Sequence, residues 1–223
     1  DGIVTLTERI WPIIRGWEAL RNRNVAHEVI PCCADLELFK FSREDRDRRR
    51  AELGLEDRFV IVYSGSIDGW YLTESMADFF VELRKEKSSA HFLWLTPARH
   101  DRIMTLMQER GISEGDYTVL ASTSREVPSY LSAADAGMAF IKPCFSKLAS
   151  SPTKYAEYLA CGLPLIVNAG VGDSDTFIAD RRLGVVVRGF SETEYRRVLP
   201  EIEHPVSAET HQRMRQAAEA IQA

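Results

Sequence analysis

The residues most able to do chemistry lie in one short stretch. Ser150-Ser151-Pro152-Thr153-Lys154-Tyr155-Ala156-Glu157 reads as a helix start. Ser150 or Ser151 can cap the helix, and Pro152 fits its first turn, where a missing N–H has no intrahelical partner to lose. Gly162 is placed to stop the helix, and Pro164 follows. Such a start presents free backbone N–H groups and the positive end of the helix dipole, which attract anions. Lys154 adds a positive charge there, and Glu157 lies one turn on, near the same face. A cation, free amides and a carboxylate about a turn apart suit a phosphate joined to a sugar hydroxyl. The plain alternative is a surface Lys154–Glu157 ion pair worth about 0.3 kcal/mol.

A second candidate stretch follows the apolar run Phe59–Tyr63. It reads Ser64-Gly65-Ser66-Ile67-Asp68-Gly69-Trp70-Tyr71. Gly65 and Gly69 would let backbone approach a phosphate closely. Their spacing is not the dinucleotide Gly-x-Gly-x-x-Gly, and alone it describes an ordinary βα turn. Trp70 and Tyr71 could stack on a sugar or a base. Lys142, Lys147 and Lys154 provide positive charge locally, although the whole chain carries a net charge of −5. That balance argues against a general nucleic-acid surface.

Other reactive residues point elsewhere. Asp173-Ser174-Asp175 could hold a metal, but it follows Gly170-Val171-Gly172 and precedes an apolar helix, so a helix N-cap is expected. Asp45 and Asp47 lie in a charged helix and are read as solvated. Cys32, Cys33, Cys144 and Cys161 lack Cys-x-x-Cys spacing and a nearby histidine pair, so no zinc site is expected. Cys33 and Cys161 read as small core residues. No histidine stands in a Ser/His/Asp context. His91 is expected to start a strand, and His100, His204 and His211 are expected at the surface.

The elements that must position these residues alternate. Gly2–Thr7 reads as a strand and Glu8–Arg21 as a helix, with Ile10, Ile13, Ile14, Trp17 and Leu20 at helical spacing. His27–Ile30 is a strand. Ser42 caps a polar helix ending at Leu53. Strands follow at Phe59–Tyr63, Phe92–Leu95, Tyr117–Ala121, Ala136–Ile141, Leu165–Val167 and Gly184–Val187. Between them lie helices marked by Leu72–Leu83, Ala98–Arg110, Arg125–Ala134, the Pro152 helix and Thr176–Arg182. Polar helices at Glu192–Leu199 and Ala208–Ile221 close the chain, and Asn168–Gly172 reads as a flexible turn. The alternation predicts an α/β class: a Rossmann-like parallel sheet with helices on both faces. Ligands on such sheets sit at the carboxyl ends of the strands, a rim Gly65, Ser122, the 142–151 loop and Asn168 would share. No apolar run reaches the ~20 residues needed to span a membrane, and no signal peptide is visible.

Ser151-Pro152-Thr153-Lys154-x-x-Glu157-Tyr158-Leu159-Ala160-Cys161-Gly162-Leu163-Pro164 resembles the donor-binding motif of nucleotide-sugar glycosyltransferases built from two Rossmann-like halves, the GT-B type. The nearest group is the retaining glycosyltransferase family 4. Ile30-Pro31 with Asp35 and Phe39 is similar to that family's start of the second half, and Tyr63-Ser64-Gly65-Ser66 to its first strand and glycine turn. The resemblance implies a donor-binding domain at 27–190, preceded by a remnant of the acceptor-side half at 1–26 and followed by helices at 191–223. It implies a cytoplasmic enzyme using a nucleotide-diphosphate sugar and a saccharide or lipid-linked acceptor, with no cofactor or essential metal and no nucleic-acid partner; peripheral membrane association of the full-length protein stays open.

Carried over residue by residue, Lys154 becomes the catalytic cation. Gly65, Ser66, Trp70, Val127, Lys147, Ser151, Thr153 and Glu157 become donor contacts, Glu157 at the ribose and Val127 at the base. The pattern departs from the family three times. Ser66 stands where an arginine is usual, Trp70-Tyr71 stands near the place of a usual lysine, and Ala149 stands where a first glutamate is usual. Those losses leave two alternatives open: a non-catalytic sugar-nucleotide or partner-binding domain, and a nucleotide-sugar 2-epimerase on the same fold.

Overall fold

The computed structural model describes residues 2–97, 99–202 and 207–222. Its centre is β3 (Phe59–Ser64), whose first five residues are fully buried. A run of β-branched and aromatic residues without alternation suits a strand covered on both faces. Beside it lie β4 (Ala90–Leu95) and, further out, β5 (Tyr117–Leu120). On the other side lie β6 (Ala136–Ala139), β7 (Leu165–Asn168) and β8 (Gly184–Val187). The sheet order is β5-β4-β3-β6-β7-β8, and every pairing is parallel. The order reverses direction between β3 and β6. At such a switch point the loops leave to opposite faces and open a crevice at the carboxyl ends of the strands.

The connecting helices follow the expected rhythm. These are α2 (Arg43–Leu53), α3 (Thr73–Glu86), α4 (His100–Glu109), α5 (Val127–Ala133), α6 (Thr153–Ala160) and α7 (Ser174–Asp180). After the sheet come α8 (Glu192–Val198) and α9 (Ala208–Gln222). Ser42 caps α2 by accepting from the Asp45 N–H at 3.1 Å, and Gly54 ends it with φ 65°. Helix α3 buries Met76, Phe79, Phe80 and Leu83 against the sheet. Tyr158 of α6 packs so closely on β6 that a Cβ at Gly137 would stand 2.3 Å from its ring. A glycine there lets α6 approach the sheet.

The amino-terminal segment differs from its expectation. β1 (Gly2–Thr5) and β2 (Ala26–Val29) form a separate two-stranded parallel sheet. The helix expected over Glu8–Arg21 is only α1 (Trp11–Arg15). It stops at Gly16, and tight turns continue through Arg23. Trp17 and Leu20, expected on its apolar stripe, lie in those turns beyond the helix, and Trp17 is 57% exposed. Cys33 is exposed rather than part of the core, whereas Cys161 is buried. His211 is half-buried, its ring 4.8 Å from that of Phe41. His204, and the start of the α4 expectation at Ala98, lie outside the described residues. Among the described residues no helix is long and apolar enough to cross a membrane.

Candidate functional site

The crevice between β3 and β6 is lined by Phe39, Ser64, Gly65, Tyr71, Ser124, Val127, Pro152, Thr153, Lys154 and Glu157. Three loops therefore converge on it: the turn after β3, the segment entering α5 and the start of α6. Gly65 adopts φ 134°, a backbone state side chains rarely take. A Cβ there would lie 3.4 Å from the Lys154 Nζ. The lysine thus reaches from α6 across to the β3 turn, the juxtaposition a phosphate held by both would need.

Aromatic residues build the wall behind Lys154. Its Nζ donates to the Tyr71 hydroxyl at 2.7 Å and sits 3.9 Å from the centre of that ring. The Tyr63 ring centre is 5.6 Å away. Ser64 N donates to the Tyr158 hydroxyl at 2.9 Å, and Tyr63 donates its hydroxyl to the Ser66 carbonyl, so side chains of α6 and β3 fix the turn. Burial pushes the Tyr63 and Tyr158 phenols well above their ordinary range, so both stay neutral. Among the described residues, no carboxylate lies within 4 Å of the Lys154 ammonium. The surface ion pair with Glu157 therefore does not form.

Glu157 is half-buried and lines the same crevice. Burial raises its carboxyl above the ordinary value, and the positive charge of Lys154 opposes that rise. Val127 and Ser124 form the opposite lip. The structure thus brings Gly65, Val127, Thr153, Lys154 and Glu157 together.

Four other residues sit elsewhere. Ser66 is not among the residues lining the crevice, and its carbonyl accepts from the Tyr63 hydroxyl. Ser151 does not cap α6: Pro152 holds the N-cap position, and the Ser151 hydroxyl accepts from Cys32 N at 3.1 Å. Because the side chain is engaged by a neighbouring strand exit, the first amides of α6 keep no side-chain cap. Trp70 is 53% exposed outside the crevice, and Lys147 places its ammonium 4.4 Å over the Trp70 ring.

Three residues carry roles that their local sequence does not announce. Tyr71 is locked by a bridge to Ile141 across the mouth of the sheet. Asn168, expected in a flexible turn, is 1% exposed and clamps the ends of β6 and β7. Its Oδ1 accepts from Ile141 N at 2.7 Å and its Nδ2 donates to the Ile141 carbonyl at 2.9 Å. Asp173 sits at the α7 N-cap position without capping. Its carboxylate accepts from Glu8 N at 2.6 Å and Arg9 N at 3.2 Å, while Asp175 pairs with the Arg9 guanidinium at 2.6 Å. The acidic pair tethers the amino-terminal segment. Among the described residues, no group of three or more His, Cys, Asp or Glu is placed to hold a metal ion.

Comparison with known proteins gives three results. Residues 147–223 match the family model described as glucosyltransferase 3-like, C-terminal domain. No curated protein sequence matches the chain. Among solved structures, WaaG, a glycosyltransferase involved in lipopolysaccharide biosynthesis, superposes with TM-score 0.75 at 16% identity, over 97% of this chain and 58% of that one. Sucrose-phosphate synthase from Thermosynechococcus elongatus gives TM-score 0.73 at 19% identity, covering 99% of this chain and 54% of that one. Anabaena HepE, solved with UDP and glucose, gives 0.72 at 16% identity, covering 99% and 57%. The chain spans a little over half the length of these relatives. Its fold is the Rossmann-like half of a GT-B glycosyltransferase, and the part from α6 onward fits the glucosyltransferase 3-like C-terminal domain.

Proposed function

We propose that the chain is the donor-binding half of a retaining glycosyltransferase. The enzyme would move a sugar, of the hexose type, from a nucleoside-diphosphate sugar to a saccharide or lipid-linked acceptor. One observation carries this reading: the Lys154 ammonium lies over the Gly65 turn, inside the crevice at the topological switch point. The resemblance to HepE, solved with UDP-glucose, supports the same ligand class.

The diphosphate would lie between the Gly65 backbone and the first amides of α6. Thr153 and Lys154 contribute those amides, and Pro152 at the N-cap position offers them no side-chain cap. As the sugar leaves, negative charge grows on the phosphate oxygen it departs from. Lys154 and the helix amides would stabilise that charge more in the transition state than in the bound donor, which is what accelerates a reaction. They supply the positive charge a metal would otherwise bring, so the reading requires no cofactor. Glu157 would accept hydrogen bonds from the ribose hydroxyls, and Val127 would pack against the base. Retention implies that the acceptor hydroxyl enters on the leaving-group face. On this reading residues 1–26 belong to the acceptor-side half, the rest of which this chain lacks, so the fragment alone would bind donor and transfer nothing. A cytoplasmic location suits a nucleotide-sugar substrate.

The first test is a panel of UDP, GDP, ADP and dTDP offered to this chain. A matching nucleotide at about one hundred times its Kd should stabilise it by ~2.7 kcal/mol, a rise in Tm of roughly 5–10 °C. If none of the four shifts Tm, the donor-binding reading fails. Donor hydrolysis by the full-length protein then separates an enzyme from a binder.

A further inference from the structure

We infer that Tyr71 is the positioning residue for Lys154, and that the two act as one anion-binding unit. The Tyr71 oxygen fixes the ammonium over the Gly65 turn, and the phenol hydrogen is left for a terminal phosphate oxygen of the ligand. The inference rests on the donor-binding reading above and names a role for a residue the Ser-Pro-x-Lys-x-x-Glu pattern does not contain.

The chemistry of the contact fixes its direction. An ammonium has three donors and no acceptor, so at 2.7 Å the Lys154 Nζ donates and the Tyr71 oxygen accepts. The phenol's own hydrogen must then go elsewhere. Among the described residues no acceptor takes it. Tyr71 is half-buried and lines the crevice beside Gly65 and Thr153, so the hydrogen has the ligand space to point into.

Tyr71 is itself held in place. It bridges Ile141, Leu72 N donates to the Phe140 carbonyl at 2.9 Å, and the Tyr63 ring meets it edge-on at 5.7 Å between centres. Lysine is a flexible four-carbon stem ending in a point charge, and holding it still has an entropic cost. A carboxylate would hold it equally well but would cancel its charge. A phenol positions the ammonium and leaves the full positive charge for the ligand. The ring adds attraction, since the ammonium lies 3.9 Å from its centre. With Ser66 standing where the resembling family has an arginine, this pair supplies a second donor at the glycine turn.

The test is calorimetric binding of UDP and UMP (or the corresponding pair for whichever base the panel selects) to wild type, Tyr71→Phe, Lys154→Ala and the double variant. Tyr71→Phe keeps the ring and removes only the oxygen. It is expected to weaken diphosphate binding roughly 5- to 10-fold while monophosphate binding stays within about twofold. Lys154→Ala should lose more of the diphosphate preference, and the double variant should match it within about twofold, since coupled residues do not add. Equal losses for both nucleotides, or losses that multiply in the double variant, overturn the pairing while leaving the donor-binding reading intact. Failure of folded wild type to bind any diphosphate overturns both. If Tyr71→Phe does not fold, Tyr71→Gln still offers the ammonium an acceptor and should keep the preference within about threefold, whereas Tyr71→Leu should lose it. Equal loss in those two also overturns the pairing.

Discussion

Two charged clusters at opposite ends of the central sheet differ in how their charge is cancelled. At the amino ends of the strands two carboxylates are each held by two arginines. Asp135, 3% exposed, accepts from Arg46 at 2.6 Å, from Arg50 at 2.8 Å and from Val60 N at 2.7 Å. Nearby, Asp116 takes Arg58 at 2.5 Å and Arg84 at 2.8 Å. In the crevice at the carboxyl ends the Lys154 ammonium contacts phenols and rings, and among the described residues neither it nor Glu157 forms a salt bridge. Charges locked together at one end hold α2 and the strand starts in place. Lys154 and Glu157 are left uncancelled in the crevice, as the proposed donor site requires. On the proposed reading, the difference separates ionisable groups that serve stability from those that serve a ligand.

That contrast breaks most readily at Asp135. Removing one partner of a buried ion network leaves the others desolvated and unpaired, at a cost of about 3–5 kcal/mol. Asp135→Ala should therefore lose stability on that scale in urea unfolding, with nucleotide affinity of the folded fraction unchanged. A loss under about 1 kcal/mol would mean the amino end is no more committed to structure than an exposed ion pair. Lys154→Ala should show the reverse. Turnover of the full-length enzyme should fall by roughly 10²–10³, as when one donor to a developing oxyanion is removed. Donor binding should weaken by less than about tenfold, and stability should move by no more than about 0.5 kcal/mol. Small and equal changes in turnover and binding would remove the catalytic role given to Lys154.

Much of this contrast was legible before the fold was known. The βα alternation, the Ser42 cap of α2 and the unbroken apolar run of β3 are local signals, and each appears in the structure where the sequence puts it. Lys154 and Glu157 were readable because one turn of helix fixes their spacing. What escaped depends on partners distant in sequence. The place of Tyr71 is set by Ile141, seventy positions away along the chain. Asn168 looks like a turn residue until the ends of β6 and β7 are side by side. Asp173 looks like a cap, yet the backbone amides it takes belong to Glu8 and Arg9. The expected helix at the amino terminus failed for a related reason. Its apolar spacing was real, but the helix ends at Gly16 and Trp17 stands 57% exposed.

Glu157 sharpens the comparison through opposite signs in a single substitution. Burial has raised its carboxyl, so the folded protein disfavours the ionised form. A carboxyl raised on folding adds stability below its unfolded pKa, and that contribution is lost as pH rises through the folded value. Glu157→Gln carries no charge at any pH. It should match wild type in stability in acid and become slightly more stable as pH rises past the carboxyl's titration. Ribose binding runs the other way, because the hydroxyls need the ionised oxygen as acceptor. Wild-type nucleotide affinity should be flat at neutral pH and decline on acidification, starting above the pH at which an ordinary glutamate protonates. Glu157→Gln should lose about 1 kcal/mol of nucleotide affinity at neutral pH and show no such decline. Isothermal titration across pH 4.5–8 reads both, the lower limit being the carboxyl's ordinary value. If Glu157→Gln instead destabilises the chain at neutral pH and leaves affinity alone, Glu157 behaves like Asp135, and the carboxyl end would lose its claim to a ligand-directed carboxylate.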